Sequence, residues 1–433
     1  MKIMKAGRVP ALLFLLLSLL LLPWPARAAE KQDVLRATLT NGLRVVIVKN
    51  TLAPVVTIET NYLVGSNEAP DGFPGTAHAL EHMMFRGSPG LSAEQLANII
   101  AMMGGRFNAD TQQTVTQYFF TVPGDDLETA LHVEAERMRG ILATEELWDK
   151  ERGAIEQEVA QDLSNPEYLM SMQLLAELFK GTPYAHDALG TRPSFQKTTG
   201  AMLKEFYDAW YAPNNAILVI AGDVEMEQTL QKVKTLFEPI PARPVPARRE
   251  IRLQPLQAAS LSLDTDRPYG LAVVAYRLPG YDSPDYAPGL ILADVLSSRR
   301  GDLYALVPQG KALFAGFEND ALPKAGFGFA MASFPKGGDG AALVEAIRGI
   351  VAGYVKRGLP ADLVEAAKRH ERAGAEFQKN SISGLAETWS QALAVAGVNS
   401  PDDLTDAIAK VTVEDVNRVA REYLINETAL TAI

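Results

Sequence analysis

The sequence contains no cysteine among its 433 residues. Without thiols the chain forms neither disulfides nor thiolate metal sites, so a bound metal would depend on histidine, aspartate and glutamate. The same absence excludes a lipid attached to a cysteine side chain. Histidine is scarce as well, at five residues, so a histidine-based site has few candidate ligands.

The sequence also lacks a basic cluster with interleaved aromatic residues, and its formal net charge is −11. An acidic surface repels nucleic acid and anionic lipid, so nucleic-acid binding is excluded as a function. Hydrophobic residues make up 47% of the chain and charged residues 21%. These are ordinary globular values, and the length indicates two or more domains.

One long apolar run stands near the N-terminus, at residues 11–22, after three basic residues. It is short for a membrane-spanning helix. The small residues Ala26 and Ala28 follow it at the positions that signal peptidases require. We therefore predict a signal peptide at residues 1–28, cleaved near Ala28, and an exported periplasmic protein with no stable membrane anchor.

The mature chain divides at residues 238–250, EPIPARPVPARRE, whose four prolines remove amide donors and favour an extended backbone. We interpret this segment as a linker between two domains of similar length, residues 29–237 and 251–433. Residues 199–220 and 412–433 lie 213 positions apart, and each runs from a threonine through an amphipathic helix into an apolar strand. This likeness predicts an internal duplication.

Strand and helix patterns alternate in the first domain. ATLTNGLRVVIV has an Asn-Gly turn between apolar runs, which is typical of a hairpin, and VVTIETNYLV and TQYFFTV are strand-like. LSAEQLANIIAMMGG begins with a capping box at Ser92 and Gln95 and ends at Gly104. We predict an α+β fold of two homologous domains, each an antiparallel sheet with helices packed on one face.

The stretch GTAHALEHMMFRGS, residues 75–88, places two histidines four residues apart. On a helix these positions differ by about 40° in azimuth, so His78 and His82 can present their imidazoles to one ion at roughly 2.0–2.1 Å. Glu81 lies beside them on the adjoining stripe, close enough to face a water bound to that ion. The order HxxEH inverts the commoner zinc-protease helix and keeps its geometry. Two structural histidines that share a face are the alternative.

A catalytic zinc site usually has three protein ligands, so this pattern lacks one. The remaining histidines are poorly placed to supply it. His132 lies in a charged helical stretch, His186 in a loop and His370 in a basic helix. We expect all three to be solvated or locally hydrogen-bonded.

The predicted helix KERGAIEQEVAQDL offers three glutamates for the missing position. Glu151 and Glu158 are seven residues apart and share a face, so one could bind zinc while the other hydrogen-bonds a zinc ligand. Glu156 points elsewhere. Surface glutamates are the alternative interpretation of this run.

Together these motifs resemble the pitrilysin, insulin-degrading enzyme and mitochondrial processing peptidase family. The resemblance is carried by HxxEH, by a glutamate 76 positions after the second histidine and by ERGAIEQE around it. LTNGLRVVI, FNADTQQTVTQYFFTV, YAPNNAILVIAGDV and VTVEDVNRVAREYL also match, so the likeness covers almost all of the mature chain.

The resemblance implies a role for each residue of the motif. His78, His82 and Glu158 would hold one Zn²⁺ per chain, Glu81 would be the general base, and Glu151 would support a zinc ligand through a hydrogen bond. Phe107, Asn108 and Ala109 would belong to an edge strand whose backbone pairs with an extended peptide substrate.

The second domain departs from the family pattern at SSRRGDLYALVPQGKALFAGF. Single-chain members carry an arginine here and a tyrosine seven residues later, which hold substrate and stabilise the tetrahedral intermediate. Val307 and Phe314 occupy these positions, and neither can donate a hydrogen bond to an oxyanion. We interpret the chain as the zinc-bearing half of a heterodimer whose paralogous two-domain partner supplies the Arg/Tyr pair.

The predicted function is a zinc metallopeptidase that hydrolyses peptide bonds in extended peptides or unfolded segments. Two alternatives stay open. The chain is a non-catalytic scaffold or peptide-binding subunit of the same fold, or it is a self-sufficient homodimeric peptidase in which other residues replace the arginine and tyrosine.

Overall fold

The structure is a computed structural model and describes residues 33–433. The predicted signal peptide lies outside this range. Contacts join Val34–Ile433 into one compact unit, and the division of the chain at residues 238–250 stays a prediction.

Strands and helices alternate along both halves of the described chain. The strands are β1 Asp33–Thr38, β2 Arg44–Lys49, β3 Val55–Tyr62, β4 Gly87–Ser88, β5 Leu91–Ser92, β6 Arg106–Thr111, β7 Thr116–Pro123, β8 Ala216–Gly222, β9 Ser260–Leu261, β10 Tyr269–Leu278, β11 Phe314–Ala321, β12 Gly326–Pro335 and β13 Leu430–Ala432. The helices are α1 Thr76–Met83, α2 Ala93–Met103, α3 Leu127–Arg139, α4 Glu145–Leu163, α5 Pro166–Leu178, α6 Arg192–Phe195, α7 Gly200–Trp210, α8 Met226–Phe237, α9 Tyr286–Ser297, α10 Gly340–Arg357, α11 Ala361–Gln378, α12 Ile382–Ser390, α13 Pro401–Lys410 and α14 Val413–Tyr423.

Two of the sheets in the described residues have the same strand order, apart from β1, which has no counterpart in the second sheet. The first is β1-β2-β8-β3-β7-β6 and the second, read in the same direction, is β9-β13-β10-β12-β11. In both, the strand that follows the amphipathic helix of the duplicated segment, β8 after α7 or β13 after α14, inserts next to the first long strand, β3 or β10. The shared order agrees with the predicted duplication, and it makes β6 and β11 equivalent edge strands.

Pairing within the two sheets is mainly antiparallel, as predicted, with one parallel pair at the same place in each sheet. β2 runs parallel to β8, and β9 runs parallel to β13. Each of these parallel strands lies far apart from its partner in the sequence, so a hairpin does not constrain its direction. The α+β fold class is therefore confirmed, with sheets that are mixed.

Short-range sequence signals act where they were predicted. Gly42 in the Asn-Gly turn has φ +89, a backbone conformation that glycine adopts without strain. The Ser92 hydroxyl accepts from the backbone N–H of Gln95, and the Gln95 side chain accepts from the backbone N–H of Ser92, so the capping box forms. Gly104 ends α2 in the left-handed conformation.

Each main sheet is apolar on both faces. In β2, Val45 and Ile47 face the core that the first half's own helices cover, whereas Val46 and Val48 face a second cluster. This explains why the strand reads as a continuous apolar run. The apolar residues of the second face need a cover, and their own half does not supply it.

The two halves exchange helices to cover these second faces. From the second half, α12 places Leu385, Ala386 and Trp389 on the first sheet. From the first half, α5 packs Leu174 and Leu178 on the second sheet. Because burying one large apolar side chain contributes about 1.5–3 kcal/mol, the exchange holds the halves together. Each sheet thus has its own helices on one face, as predicted, and a helix of the other half on the opposite face.

The segment at residues 238–250 has no helix or strand and is attached to the first half by polar contacts. The Asn214 amide donates to the backbone oxygen of Arg243 and its side-chain oxygen accepts from the Arg243 backbone N–H, and Arg249 forms an ion pair with Asp71 at 2.6 Å. In residues 33–433 we find no helix with the length and apolar composition that a bilayer crossing requires.

Candidate functional site

The helix α1 is buried because its neighbours approach closely at its start. Gly75 precedes it with φ +86, and a Cβ there would lie 2.6 Å from the Cα of Gly190 and 2.7 Å from the ring of Phe195. The two glycines therefore bring the loop before α6 directly against the helix. This contact places the backbone of Leu189 next to the first histidine.

His78, His82 and Glu158 converge at one point. The Nε2 atom of His78 lies 3.5 Å from Glu158 Oε1, and the Nε2 atom of His82 lies 3.5 Å from Glu158 Oε2. One potential ligand atom from each residue lies within 4.8 Å of the others, and no further group of three or more such side chains is found in the part of the chain that the structure describes. The structure thus brings together the three predicted ligands, two on α1 and one on α4.

Both imidazoles are held through their other nitrogen. The Nδ1 atom of His78 is 3.0 Å from the backbone oxygen of Leu189, and the Nδ1 atom of His82 is 2.8 Å from Oε1 of Glu151. An acceptor at Nδ1 fixes the proton there and leaves the Nε2 lone pair free for a metal. Glu151 therefore lies at the supporting position predicted for it, on the same face of α4 as Glu158 and two turns before it.

The charges of the site favour a bound cation. Burial lowers the pKa of His82, but hydrogen bonds to Glu151 and Glu158 outweigh it and raise that pKa to about 9. The hydrogen bonds from His78 and His82 hold the pKa of Glu158 well below its usual range. Both shifts show that the carboxylates stabilise positive charge at this place, whether protons or a metal ion carry it. Two imidazoles and one carboxylate are the ligand set of a catalytic zinc, so these residues fit that metal.

Glu81 lies beside the metal ligands on the same helix. Burial raises the pKa of its carboxyl, which the hydrogen bond from Thr111 and the charges of His78 and His82 partly offset. The Thr111 hydroxyl donates to Oε2 of Glu81 at 2.5 Å. Two predicted site residues thus differ in environment, because Glu81 is half-buried and Glu158 is exposed.

The predicted substrate strand forms the edge of the first sheet. β6 pairs with β7 on one side, and it ends the sheet order, so its other side is unpaired within the described residues. Phe107 is 42% exposed and its ring stacks on Phe120, Asn108 is exposed, and Ala109 is half-buried. The free backbone edge of this strand is available to an added strand.

The other candidates lie outside the cluster. Glu156 points away and pairs with Arg192 at 3.2 Å, and His186 bonds through Nδ1 to the backbone oxygen of Asp187 at 2.9 Å. His132 and His370 belong to α3 and α11 and are not in the group of converging ligands.

Two family models match the chain over most of its length. Residues 44–192 match the insulinase domain of peptidase family M16, and residues 197–370 match the domain described as the M16 inactive domain. The chain belongs to peptidase family M16. The M16 match to the first half contains all of the metal-site residues, and the boundary between the two matches falls at α6.

Curated relatives and solved structures agree with this family. An uncharacterized zinc protease of Streptomyces coelicolor is 27% identical over 92% of this chain and 89% of its own length. The chain spans about half the length of further curated relatives that it matches.

Among solved structures, a protease from Helicobacter pylori superposes with a TM-score of 0.85 at 24% identity, over 93% of this chain and 99% of that one. The periplasmic protease PqqL from Escherichia coli superposes with a TM-score of 0.78 at 20% identity, over 94% of this chain and 48% of that one. At these identities the likeness shows the M16 fold.

The second half has carboxyl groups but no imidazoles at the positions that correspond to the metal-site residues of the first half. At 213 positions after His78, Glu81 and His82 stand Ile291, Asp294 and Val295, and at the same offset from Glu158 stands Glu371. Asp294 and Glu371 contact each other, and burial together with Glu371 raises the pKa of Asp294 to about 7. Asp294 and Glu371 are thus in contact, and among the described residues they belong to no group of converging metal ligands. This agrees with a non-catalytic repeat.

The two positions predicted to match the Arg/Tyr pair of single-chain members are apolar in the structure. Val307 is half-buried and packs against the core of the second half. Phe314 begins the edge strand β11 and is 49% exposed. Neither side chain has a polar group that could bind a substrate.

Sequence reasoning missed three groups that contact the site. Arg86 forms an ion pair with Oε2 of Glu151, the Leu189 backbone accepts from His78, and Thr111 donates to Glu81. Arg86 follows His82 by four residues, just after the end of α1, so its closeness in sequence could have placed it near the site. The other two contacts come from distant segments, and no local pattern indicates them.

The contact between Glu151 and His82 yields a prediction. Glu151→Gln keeps an oxygen for the Nδ1 proton but removes the charge that orients and polarises the imidazole, so zinc affinity should fall about 10- to 100-fold. Competition with a zinc chelator measures the affinity. Glu146→Gln, an exposed position on the same helix that pairs with Lys150, is the matched control. Equal affinities for the two variants would contradict a supporting role for Glu151.

Proposed function

We propose that this M16 chain is a zinc metallopeptidase that cleaves peptide bonds in extended peptides or unfolded segments. The observation that carries the proposal is the convergence of His78, His82 and Glu158 beside the carboxyl group of Glu81. The names of the curated relatives support zinc as the metal. One ion per chain follows from the single group of converging ligands in the described residues.

His78, His82 and Glu158 would hold the metal through two nitrogens and one oxygen. When bound, zinc would supply Lewis-acid polarisation of the substrate carbonyl and of the attacking water. The chain's own residues would do the rest. Glu151 and the Leu189 carbonyl keep both imidazoles oriented through their Nδ1 atoms.

Glu81 would act as the general base and then as the general acid. Its carboxylate accepts a proton as water adds to the scissile carbonyl, and it returns a proton to the nitrogen of the leaving amine as the C–N bond breaks. Glu81 thus takes up one proton and gives one back in each catalytic cycle. Burial raises the pKa of this carboxyl, which makes the carboxylate a better proton acceptor.

The substrate would bind as an added strand on β6. The free edge of this strand offers backbone groups to any extended peptide, and Phe107, Asn108 and Ala109 would be the contact residues. Recognition through the backbone favours extended or unfolded segments over folded proteins. The half-exposed Phe107 would give the strand an apolar contact for a substrate side chain.

A paralogous M16 subunit would complete the site. Val307 and Phe314 offer no donor to the developing oxyanion, so we assign the Arg/Tyr pair to a partner with the same two-domain architecture. The signal-like leader and the structural likeness to a periplasmic protease support assignment to the periplasm.

The test is an assay of peptide cleavage with and without a partner. The purified mature chain and a two-domain M16 paralogue that lacks HxxEH but carries the Arg/Tyr pair are assayed singly and mixed, on a quenched fluorescent peptide, with zinc content measured in parallel. We expect zinc in this chain and cleavage that needs both proteins. Cleavage by this chain alone would indicate a self-sufficient homodimer. Absence of zinc and of cleavage in every mixture would indicate a scaffold and would contradict the proposal.

A further inference from the structure

The residue Thr111 stands where the predicted substrate strand meets the catalytic helix. It is the last residue of β6, and its hydroxyl donates a hydrogen bond of 2.5 Å to Oε2 of Glu81. The two residues are 30 positions apart in sequence, so the contact depends on how α1 packs against the edge of the sheet. Nothing in the role of either the metal ligands or the substrate strand requires it.

Alternation along β6 explains why Thr111 faces the helix. Phe107, Ala109 and Thr111 lie on one face of the strand. The Phe107 ring contacts Phe85, which follows α1, and Ala109 packs against the first core. Asn108 and Asp110 lie on the other face and are exposed. One face of β6 thus carries exposed polar side chains. On the face toward α1, the hydroxyl of Thr111 reaches Glu81.

The hydrogen bond from Thr111 makes the two carboxylate oxygens of Glu81 different from each other. Oε2 of Glu81 accepts from Thr111, and Oε1 has no hydrogen bond to any residue that the structure describes. A carboxylate that is held at one oxygen cannot rotate freely, so the second oxygen keeps one direction. Oε1 is therefore the atom left to exchange protons with water and with the leaving amine.

We propose that Thr111 is a positioning residue that fixes the carboxylate of Glu81 and ties the general base to the strand that binds substrate. The inference rests on the proposed function, because it deepens the role of Glu81. A peptide that pairs with β6 would make hydrogen bonds along the strand that carries Thr111. Binding of substrate would then also restrain the base, and the benefit would appear in the chemical step.

The substitution Thr111→Val tests this contact, because valine keeps the β-branched shape and the strand preference while it removes the donor. We expect kcat to fall about 10- to 100-fold, as for a misplaced catalytic group, with KM changed less than about twofold and zinc content unchanged. Thr111→Ser keeps the hydroxyl and should recover most of the lost kcat. Crystal structures of the zinc-loaded wild type and of Thr111→Val should show the Glu81 carboxylate in different orientations.

Thr121→Val is the matched control. Thr121 lies on the neighbouring strand opposite Arg106, and its hydroxyl bonds to Thr57 at 2.8 Å, away from Glu81. A kcat for Thr111→Val equal to that of wild type or of this control, a failure of Thr111→Ser to recover kcat, or one orientation of Glu81 in both crystals would overturn the proposal. A wild type without Glu81-dependent cleavage, alone or with its partner, would instead overturn the proposed function, and the crystal comparison would still decide the role of Thr111.

Discussion

Glu81→Gln should retain one zinc per chain and lose peptide cleavage. The side chain lies next to the converging ligands and is not among them, so metal binding does not depend on its charge. The amide cannot accept a proton from water, and general base catalysis contributes about 10²- to 10⁴-fold to such reactions. We therefore expect kcat/KM to fall by at least about 10²-fold with unchanged metal content.

Glutamine also preserves the contact that holds the side chain. Its amide oxygen can still accept from the Thr111 hydroxyl, so the backbone of α1 and the position of β6 should stay as they are. The loss would then report the chemistry of the carboxylate and not a displaced helix. Equal thermal unfolding midpoints for the wild type and the variant in the presence of zinc would show this.

Glu94→Gln is the control for this prediction, because Glu94 is an exposed glutamate in the first turn of α2. Metal analysis and cleavage of a quenched peptide, each with the completed dimer, give the two readouts. Residual turnover of Glu81→Gln close to that of Glu94→Gln would remove Glu81 as the base. Loss of zinc from Glu81→Gln would show that the carboxylate takes part in metal binding.

The sequence contained most of the local geometry of this site. Spacing of four on a helix places His78 and His82 on one face, and spacing of seven places Glu151 and Glu158 on one face of another helix. The structure brings these two faces together. The choice between Glu151 and Glu158 as ligand was not local, since it depends on where α4 crosses α1, and it came from the family resemblance.

The exchange of helices between the halves could not be predicted from the sequence. The apolar residues of α12 show that one face is buried, but periodicity does not say which sheet that face covers. Trp389 belongs to the second half and packs on the first sheet. The parallel direction of β2 against β8 could not be predicted either, because a side-chain pattern of period two is identical in parallel and antiparallel strands.

Contacts between side chains and distant backbone atoms could not be predicted from the sequence either. The Leu189 carbonyl holds His78 because Gly75 and Gly190 let two segments touch. A pair of glycines 115 positions apart carries no sign that they meet. Arg86 is different, because it follows His82 by only four residues, and a charge so close in sequence could have been assigned to the site in advance.

Glu158→Gln should abolish tight zinc binding. The variant keeps the size of the side chain and one weak oxygen ligand, but it removes the negative charge that faces both imidazoles. A catalytic site that is reduced to two strong ligands falls below the usual three. Since loss of a group that merely supports a ligand costs about 10- to 100-fold in affinity, loss of a ligand should cost at least about 100-fold.

Two measurements separate this prediction from general damage. Competition with a chelator gives the zinc affinity, and the rise in unfolding temperature on adding zinc reports binding to the folded chain, because a ligand stabilises the state that it binds. Wild type should show the rise and Glu158→Gln should not. Glu158 is exposed at about half of its side chain, so the metal-free variant should unfold at nearly the wild-type temperature.

Glu156→Gln makes the comparison specific to position. It removes the same charge from the same helix, two residues earlier, where the carboxylate pairs with Arg192 and points away from the histidines. If long-range charge alone attracted the cation, both variants would lose affinity to a similar degree. If coordination by a carboxylate oxygen 3.5 Å from each Nε2 atom is what matters, Glu156→Gln should bind zinc like wild type, and an unimpaired Glu158→Gln would leave this site without its third ligand.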